Sequence, residues 1–180
     1  MPVTFEIVEA KPWHVGCMVR RLRAEHRKAI EATGNDAHRE LHACYGDSVF
    51  CRVLLINGRV EALGGVRGAA IGATGYVWLA LSDEAAKHPK ALARLARQQL
   101  SEIMQVKREL ATTLLDDDPA AMRFAVFLGF HVEDEGPGSR AGSRQDRRRL
   151  SEFLGTCYDR RVPVGTGHAI AVGYHEKEYA

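Results

Sequence analysis

The sequence predicts an α/β (α+β) fold, with a mixed central sheet flanked by helices in the order β-α-α-β-β-β-α-β-α-β and a C-terminal extension after it. Three observations predict it. Segments of strand character alternate with segments of helical period over residues 1–135. Asn57-Gly58 stands between two apolar runs, as a tight hairpin requires. Ser82-Asp83 and Asp118-Pro119 are helix-start signals that directly follow strand-like runs.

Thr4 to Val8 alternates Phe5 and Ile7 with Glu6, which predicts a short strand. Pro12 opens a helix that the periodicity of Val15, Val19, Leu22 and His26 extends to Thr33. Its opposite side carries Arg20, Arg21, Arg23, Arg27 and Lys28. Gly34 stops it, and Asn35 or Asp36 caps a second helix, Ala37 to Tyr45. Val49 to Ile56 and Arg59 to Val66 form the hairpin, and a Gly/Ala-rich loop from Gly68 to Gly75 leads to a buried strand, Tyr76 to Leu81. Ser82-Asp83 caps a long helix that begins near Pro89 and runs to about Val106 with Leu92, Leu95, Ala96, Leu100 and Ile103 or Met104 on one face. Ala111 to Leu115 is a strand, Asp118 to Gly129 a helix, and Phe130 to Val132 a strand. Residues 1–135 form one domain. Residues 136–180 are a basic extension, an arm or an added strand, with linker composition at GPGSRAGSRQ and strand character from Val162 to Tyr174.

With 180 residues, 46% hydrophobic and 27% charged, the chain has the apolar content to order itself, which excludes a wholly disordered or collagen-like protein. No apolar run approaches the roughly 18 residues that span a bilayer, and MPVTFEIVEA lacks the pattern of a signal peptide, so a soluble protein of the cytoplasm is expected. Net charge is +2, which argues against a dedicated nucleic-acid binder. The basic excess sits in the extension, at Arg140, Arg144, Arg147, Arg148 and Arg149, which are candidate partner-binding residues. No aromatic residue interleaves them, so stacking on bases has no support. Cys17, Cys44, Cys51 and Cys157 form no CxxC pair and are expected as free thiols. His38 and His42 have helical spacing but no third ligand in view, so no metal site is expected.

The element order, with the segment Asp118-Pro-Ala-Ala-Met-Arg-Phe-Ala-Val-Phe-Leu-Gly-Phe130, resembles the GCN5-related N-acetyltransferase (GNAT) fold. Asp118, Ala121, Phe124 and Leu128-Gly129-Phe130 stand where that family has a polar residue, an alanine, an aromatic and a Leu-Gly-Phe close. Ala24-Glu-His-Arg-Lys28, Gly34-Asn-Asp36, Asn57-Gly58, Ala62-Leu-Gly-Gly-Val66, Val77-Trp78-Leu79 and the Ser-Asp-Glu run before His88-Pro89 further resemble a phage subgroup, the internal-virion-protein-A-like acetyltransferases. Residues 136–180 lie outside the resemblance.

The resemblance implies acetyl-CoA as the cofactor if the chain is active, and none if it is not. Candidate contacts are the backbone of Val77, Leu79 and Leu81, the charges of Lys87, His88 and Lys90, and Asp118 at a helix start. Glu61 is the candidate base for the acceptor amine. Two devices of the family are missing. The turn Ser82 to Lys90 contains no glycine, and Ala125 stands where the family often has a proton-donating tyrosine. The expectation is therefore a catalytically degenerate fold. It would serve as a phage virion structural or assembly protein through the C-terminal extension, made in the host cytoplasm, with other phage structural proteins or its own copies as partners. The alternative is an active acetyl-CoA-dependent N-acetyltransferase that modifies a host protein or a small-molecule amine.

Overall fold

In the computed structural model, residues 2–32, 34–70, 72–115, 118–132 and 169–175 are described. Their elements are β1 (Phe5–Glu9), α1 (Pro12–Arg21), α2 (Ala24–Ala32), α3 (Ala37–Gly46), β2 (Ser48–Ile56), β3 (Arg59–Arg67), β4 (Thr74–Leu81), α4 (Asp83–Ala86), α5 (Pro89–Met104), β5 (Glu109–Leu115), α6 (Pro119–Leu128), β6 (His131–Val132) and β7 (Ala169–His175). The strands make one mixed sheet in the order β1-β2-β3-β4-β5-β7-β6. Every neighbouring pair is antiparallel except β4 and β5.

Alternation along the strands builds a layer on each face. Val53, Leu63 and Ala80 pack against Val15, Met18 and Leu22 of the α1 region and Leu41 of α3. Leu54, Ala62 and Leu81 turn the other way, towards Ala85 of α4 and Leu92 of α5. Val66 and Leu110 continue that second core against Leu100 and Ile103 of α5, Ala125 of α6 and Phe130. Burying a leucine or isoleucine of this kind stabilises by about 1.5–3 kcal/mol. The hairpin between β2 and β3 turns on Asn57 and Gly58 with φ of 50° and 75°, the left-handed pair that a two-residue connection demands.

Two expectations change. The helix read from Pro12 to Thr33 is two helices, because Leu22 is extended (φ −59°, ψ 131°) and bridges to Ser82. The chain exchanges local helical bonding for a contact with the end of β4, with no glycine or proline at the break to mark it. Ser82 caps not the long helix but the single turn α4, accepting the Ala85 N–H on its hydroxyl at 3.1 Å. The long helix α5 has its own start at Pro89, preceded by His88 as N-cap. Within the C-terminal residues, the strand of Ala169–His175 lies between β5 and β6, paired from Glu109↔His175 to Leu115↔Ala169. The proposed division at residue 135, the linker at 136–145 and the arginines 140–149 fall outside the described residues.

Candidate functional site

The parallel strands β4 and β5 pair only at Thr74↔Glu109, Gly75↔Leu110 and Tyr76↔Ala111. Beyond that they part, β4 continuing beside β3 alone and β5 beside β7. Backbone groups point to alternate edges of a strand. The Ser82 N–H donates to the Glu61 carbonyl on the β3 side at 2.9 Å, so Val77, Leu79 and Leu81 turn their groups towards the parting. The Val77 carbonyl accepts the Thr112 hydroxyl at 2.9 Å. Both groups of Leu81 are taken by the start of α2: its carbonyl accepts the Arg23 N–H at 3.0 Å, and its N–H donates to Nδ1 of His26 at 3.3 Å. Leu79 remains. It is 39% exposed, and neither its N–H nor its carbonyl has a partner among the described residues. Of the three residues expected to offer backbone groups, the geometry leaves one fully open.

His26 was not among the candidate residues, yet it stands at this edge. Burial pushes its pKa below the ordinary imidazole value, and the Arg23 charge lowers it further, against the opposing pull of Asp118, Glu25 and Asp83. It is therefore a neutral imidazole with Nδ1 as acceptor, which leaves the proton on Nε2. The sequence signal was its place on the apolar stripe, which reads as packing.

Glu61 is 1% exposed on β3. Its carboxylate accepts both Nε and Nη2 of Arg21, the former at 3.1 Å, and the Ser82 hydroxyl. Three of its about four acceptor sites are taken, and its burial keeps an incoming amine from the fourth. The same triad ties the last turn of α1 to the β4 end that α2 docks on.

In the turn after β4, Asp83 and Glu84 lie beside basic side chains. Arg23 lies 3.5 Å from Asp83, and Lys87 and His88 lie 2.8 and 3.4 Å from Glu84. The hydrogen bond from Lys87 lowers the Glu84 pKa and raises that of Lys87. At the start of α5 the first intrahelical bond runs from the Leu92 N–H to the His88 carbonyl at 2.9 Å, and His88 supplies no side-chain cap. The amides of Lys90 and Ala91 are thus without an acceptor among the described residues, at the positive end of a 16-residue helix. Asp118 caps α6 through its carboxylate, which accepts the Ala120 and Ala121 amides at 3.1 and 2.9 Å. Those bonds occupy it at the helix start. Ala125 is 6% exposed and packs in the core with Leu100 and Phe130.

Between α5 and the sheet lies a cavity of about 130 Å³. Leu92, Ala96 and Gln99 of α5 roof it, Gly64 and Leu79 floor it, and Phe130 stands in its wall. Among the described residues no group of three or more His, Cys, Asp or Glu could hold a metal, and no helix is long and apolar enough to cross a membrane. Cys17, Cys44 and Cys51 are free thiols.

The chain is similar to many solved acetyltransferases. A GNAT-family acetyltransferase from Bacillus anthracis superposes with a TM-score of 0.64 at 8% identity, over 97% of this chain and 96% of that one. The ribosomal-protein-S18-alanine N-acetyltransferase from Escherichia coli gives 0.61 at 13% identity, over 98% of this chain and 99% of that one. N-acetylglutamate synthase from Neisseria gonorrhoeae, solved with coenzyme A and N-acetyl-glutamate, gives 0.61 at 11% identity, over 99% of this chain and 36% of that one. No protein-family model and no curated protein matches the sequence. At these identities the likeness shows the fold, and the chain has the fold of the GNAT acetyltransferases.

Proposed function

We propose that this chain is an amine N-acyltransferase that takes a coenzyme A thioester, such as acetyl-CoA, as donor. The observation that carries the reading is the parting of β4 and β5 at Tyr76↔Ala111, with Leu79 open on the edge that leads to the start of α5. An extended ligand with amide groups can pair with Leu79 as an added strand would. The unpaired amides of Lys90 and Ala91, with the charges of Lys87 and Lys90, suit a pyrophosphate at the same end of the cleft. Asp83 and Glu84 oppose an anion less than their formal charges imply, because Arg23 and Lys87 already pair with them. The donor would supply an acyl carbon open to attack by the amine. With Nδ1 held by the Leu81 amide, His26 would have its neutral Nε2–H as a donor for developing negative charge near the end of β4. Glu61 serves in this reading as the scaffold of the β4 end, held by Arg21 and Ser82.

Calorimetry of the purified chain with coenzyme A and acetyl-CoA tests the reading. Saturable binding with one site per chain is expected, weakened by Lys90→Ala. No heat of binding at millimolar acetyl-CoA overturns it.

A second reading keeps the fold without the activity, as a phage virion or assembly component. It is favoured by Ala125 at the place of the family's tyrosine and by the glycine-free turn Ser82 to Lys90. Its partner surface would be Arg140, Arg144, Arg147, Arg148 and Arg149. Mass spectrometry of purified particles that lack the chain ends this reading.

A further inference from the structure

We propose that the cavity under α5 receives the acyl chain of the donor, and that the preferred donor is a linear acyl-CoA of about four to six carbons rather than acetyl-CoA. The inference rests on reading the β4–β5 parting as the thioester site and deepens it by naming the donor class.

Position comes first. Val77 and Leu79 are the β4 residues on the parting edge just beyond the last β4–β5 pair, and both line the cavity. A thioester laid against the open backbone of Leu79 therefore stands at the cavity's mouth, and its acyl end points below α5.

Size follows. An apolar cavity of about 150 Å³ accepts a benzene ring, so about 130 Å³ matches roughly five carbons. The space exists because small residues face each other across it: Gly64 and Ala62 on β3, Ala96 on α5. A Cβ built on Gly64 would lie 3.1 Å from Cδ1 of Leu79, so the Leu79 side chain rests over the glycine.

Wall chemistry selects the chain. The lining is almost wholly apolar, with Leu92, Leu100 and Phe130 buried in it. Arg52 lines it too, but its guanidinium lies over the Phe50 ring at 4.3 Å and its Nη1 donates to the Cys51 carbonyl at 3.4 Å. A carboxylate-ended acyl group loses its hydration in this apolar lining, a cost that the Arg52 cation, held over Phe50, offsets only in part. Gln99 donates Nε2 to Glu102 at 3.2 Å and keeps Oε1 buried without a partner among the described residues, an acceptor suited to an amide N–H of the donor's arm.

The experiment is a calorimetric series on the full chain with coenzyme A and its acetyl, butanoyl, hexanoyl, decanoyl and succinyl thioesters. Each methylene that enters the cavity tightens binding by up to about fourfold. Hexanoyl-CoA is expected to bind at least about tenfold tighter than acetyl-CoA, decanoyl-CoA no tighter than hexanoyl-CoA, and butanoyl-CoA tighter than succinyl-CoA. Ala96→Leu, which fills the roof, is expected to bring the hexanoyl-to-acetyl ratio near one, with a melting curve to show that the variant is folded. Equal affinity for acetyl and hexanoyl thioesters, or tighter succinyl than butanoyl binding, overturns this proposal alone while coenzyme A still binds. If coenzyme A and all its thioesters fail to bind, the thioester site and this inference fall together.

Discussion

The Leu81 backbone N–H donates to Nδ1 of His26 at 3.3 Å, so a side chain of α2 closes the end of β4. That bond exists only while the imidazole is neutral. The folded pKa of His26 lies below 6.5, chiefly through burial and then through Arg23. The unfolded chain therefore takes up the proton first as pH falls. The stabilising contribution is whole above pH 6.5 and is lost as pH falls through the folded value. His14, lowered by burial and by Lys11, acts in the same direction. Melting temperatures at pH 7.5 and 5.5 check this: the wild type is expected to lose more than His26→Gln, whose amide oxygen can accept the Leu81 N–H at either pH. Equal losses would remove His26 from the account.

Arg21 and Glu61 make the second coupling. Glu61 is 1% exposed, and Arg21→Met leaves its carboxylate with the Ser82 hydroxyl as remaining partner. Stranding a buried charge costs about 3–5 kcal/mol, and the partial exposure of Arg21 places this case near the lower end. In urea denaturation, adding Glu61→Gln to Arg21→Met is expected to recover part of the loss. Removing a general base costs about 10²–10⁴ in turnover. With an acyl-CoA assay in hand, Glu61→Gln alone is expected to lose stability but less than about tenfold in kcat. A larger drop would return Glu61 to the chemistry.

What the sequence made legible follows from range. The hairpin at Asn57-Gly58, the α3 cap, left between Asn35 and Asp36 and found at Asp36, and the Asp118-Pro119 start depend on neighbours a few residues apart, and all are present. The break at Leu22 was hidden because its cause is a bridge to Ser82, 60 residues away, and no local residue marks it. The same distance hid the site. Leu79 is singled out only because Arg23 and His26 occupy Leu81 and Thr112 occupies Val77, and Glu61 is identified as a paired carboxylate only by Arg21, 40 residues earlier. Strand character at Val162 to Tyr174 was legible, with an arm or an added strand left open, but its place between β5 and β6 was not, because those partners lie far upstream.

Gly65 shows a constraint that composition does not. A Cβ there would lie 2.6 Å from the Phe50 carbonyl, 2.9 Å from the Ser48 hydroxyl and 3.0 Å from Nε1 of Trp78. The first is backbone of β2 and cannot turn aside. Gly65→Ala is expected to cost about 1–3 kcal/mol and to disturb the 2.8 Å bond from Trp78 to Ser48, seen as a shift in tryptophan emission. Gly46 ends α3 with nothing within 4 Å of a built Cβ, so Gly46→Ala is expected to stabilise by about 0.4–1 kcal/mol.

Lys107 anchors the loop that leads into β4. It is 2% exposed, and its Nζ donates to the carbonyls of Ala69 and Gly72 at 2.5 and 3.2 Å. The Ala73 carbonyl accepts the amides of Arg108 and Glu109 at 2.9 and 3.0 Å, and the Thr74 hydroxyl donates to Glu109 at 3.0 Å. These bonds set the register Thr74↔Glu109, only two residues ahead of the last β4–β5 pair. Lys107→Met keeps the apolar stem but leaves two carbonyls without their donor, a loss of about 1–3 kcal/mol if neither reaches water. Hydrogen exchange is expected to quicken at Gly75, Tyr76, Leu110 and Ala111 in that variant, and coenzyme A affinity to fall, although Lys107 lies at the opposite end of β4 from Leu81. Exchange at Phe5 to Glu9, on the far edge of the sheet, is expected to follow only the global loss of stability. Uniform acceleration across both groups would mean that Lys107 stabilises the fold as a whole and not the start of β4 in particular.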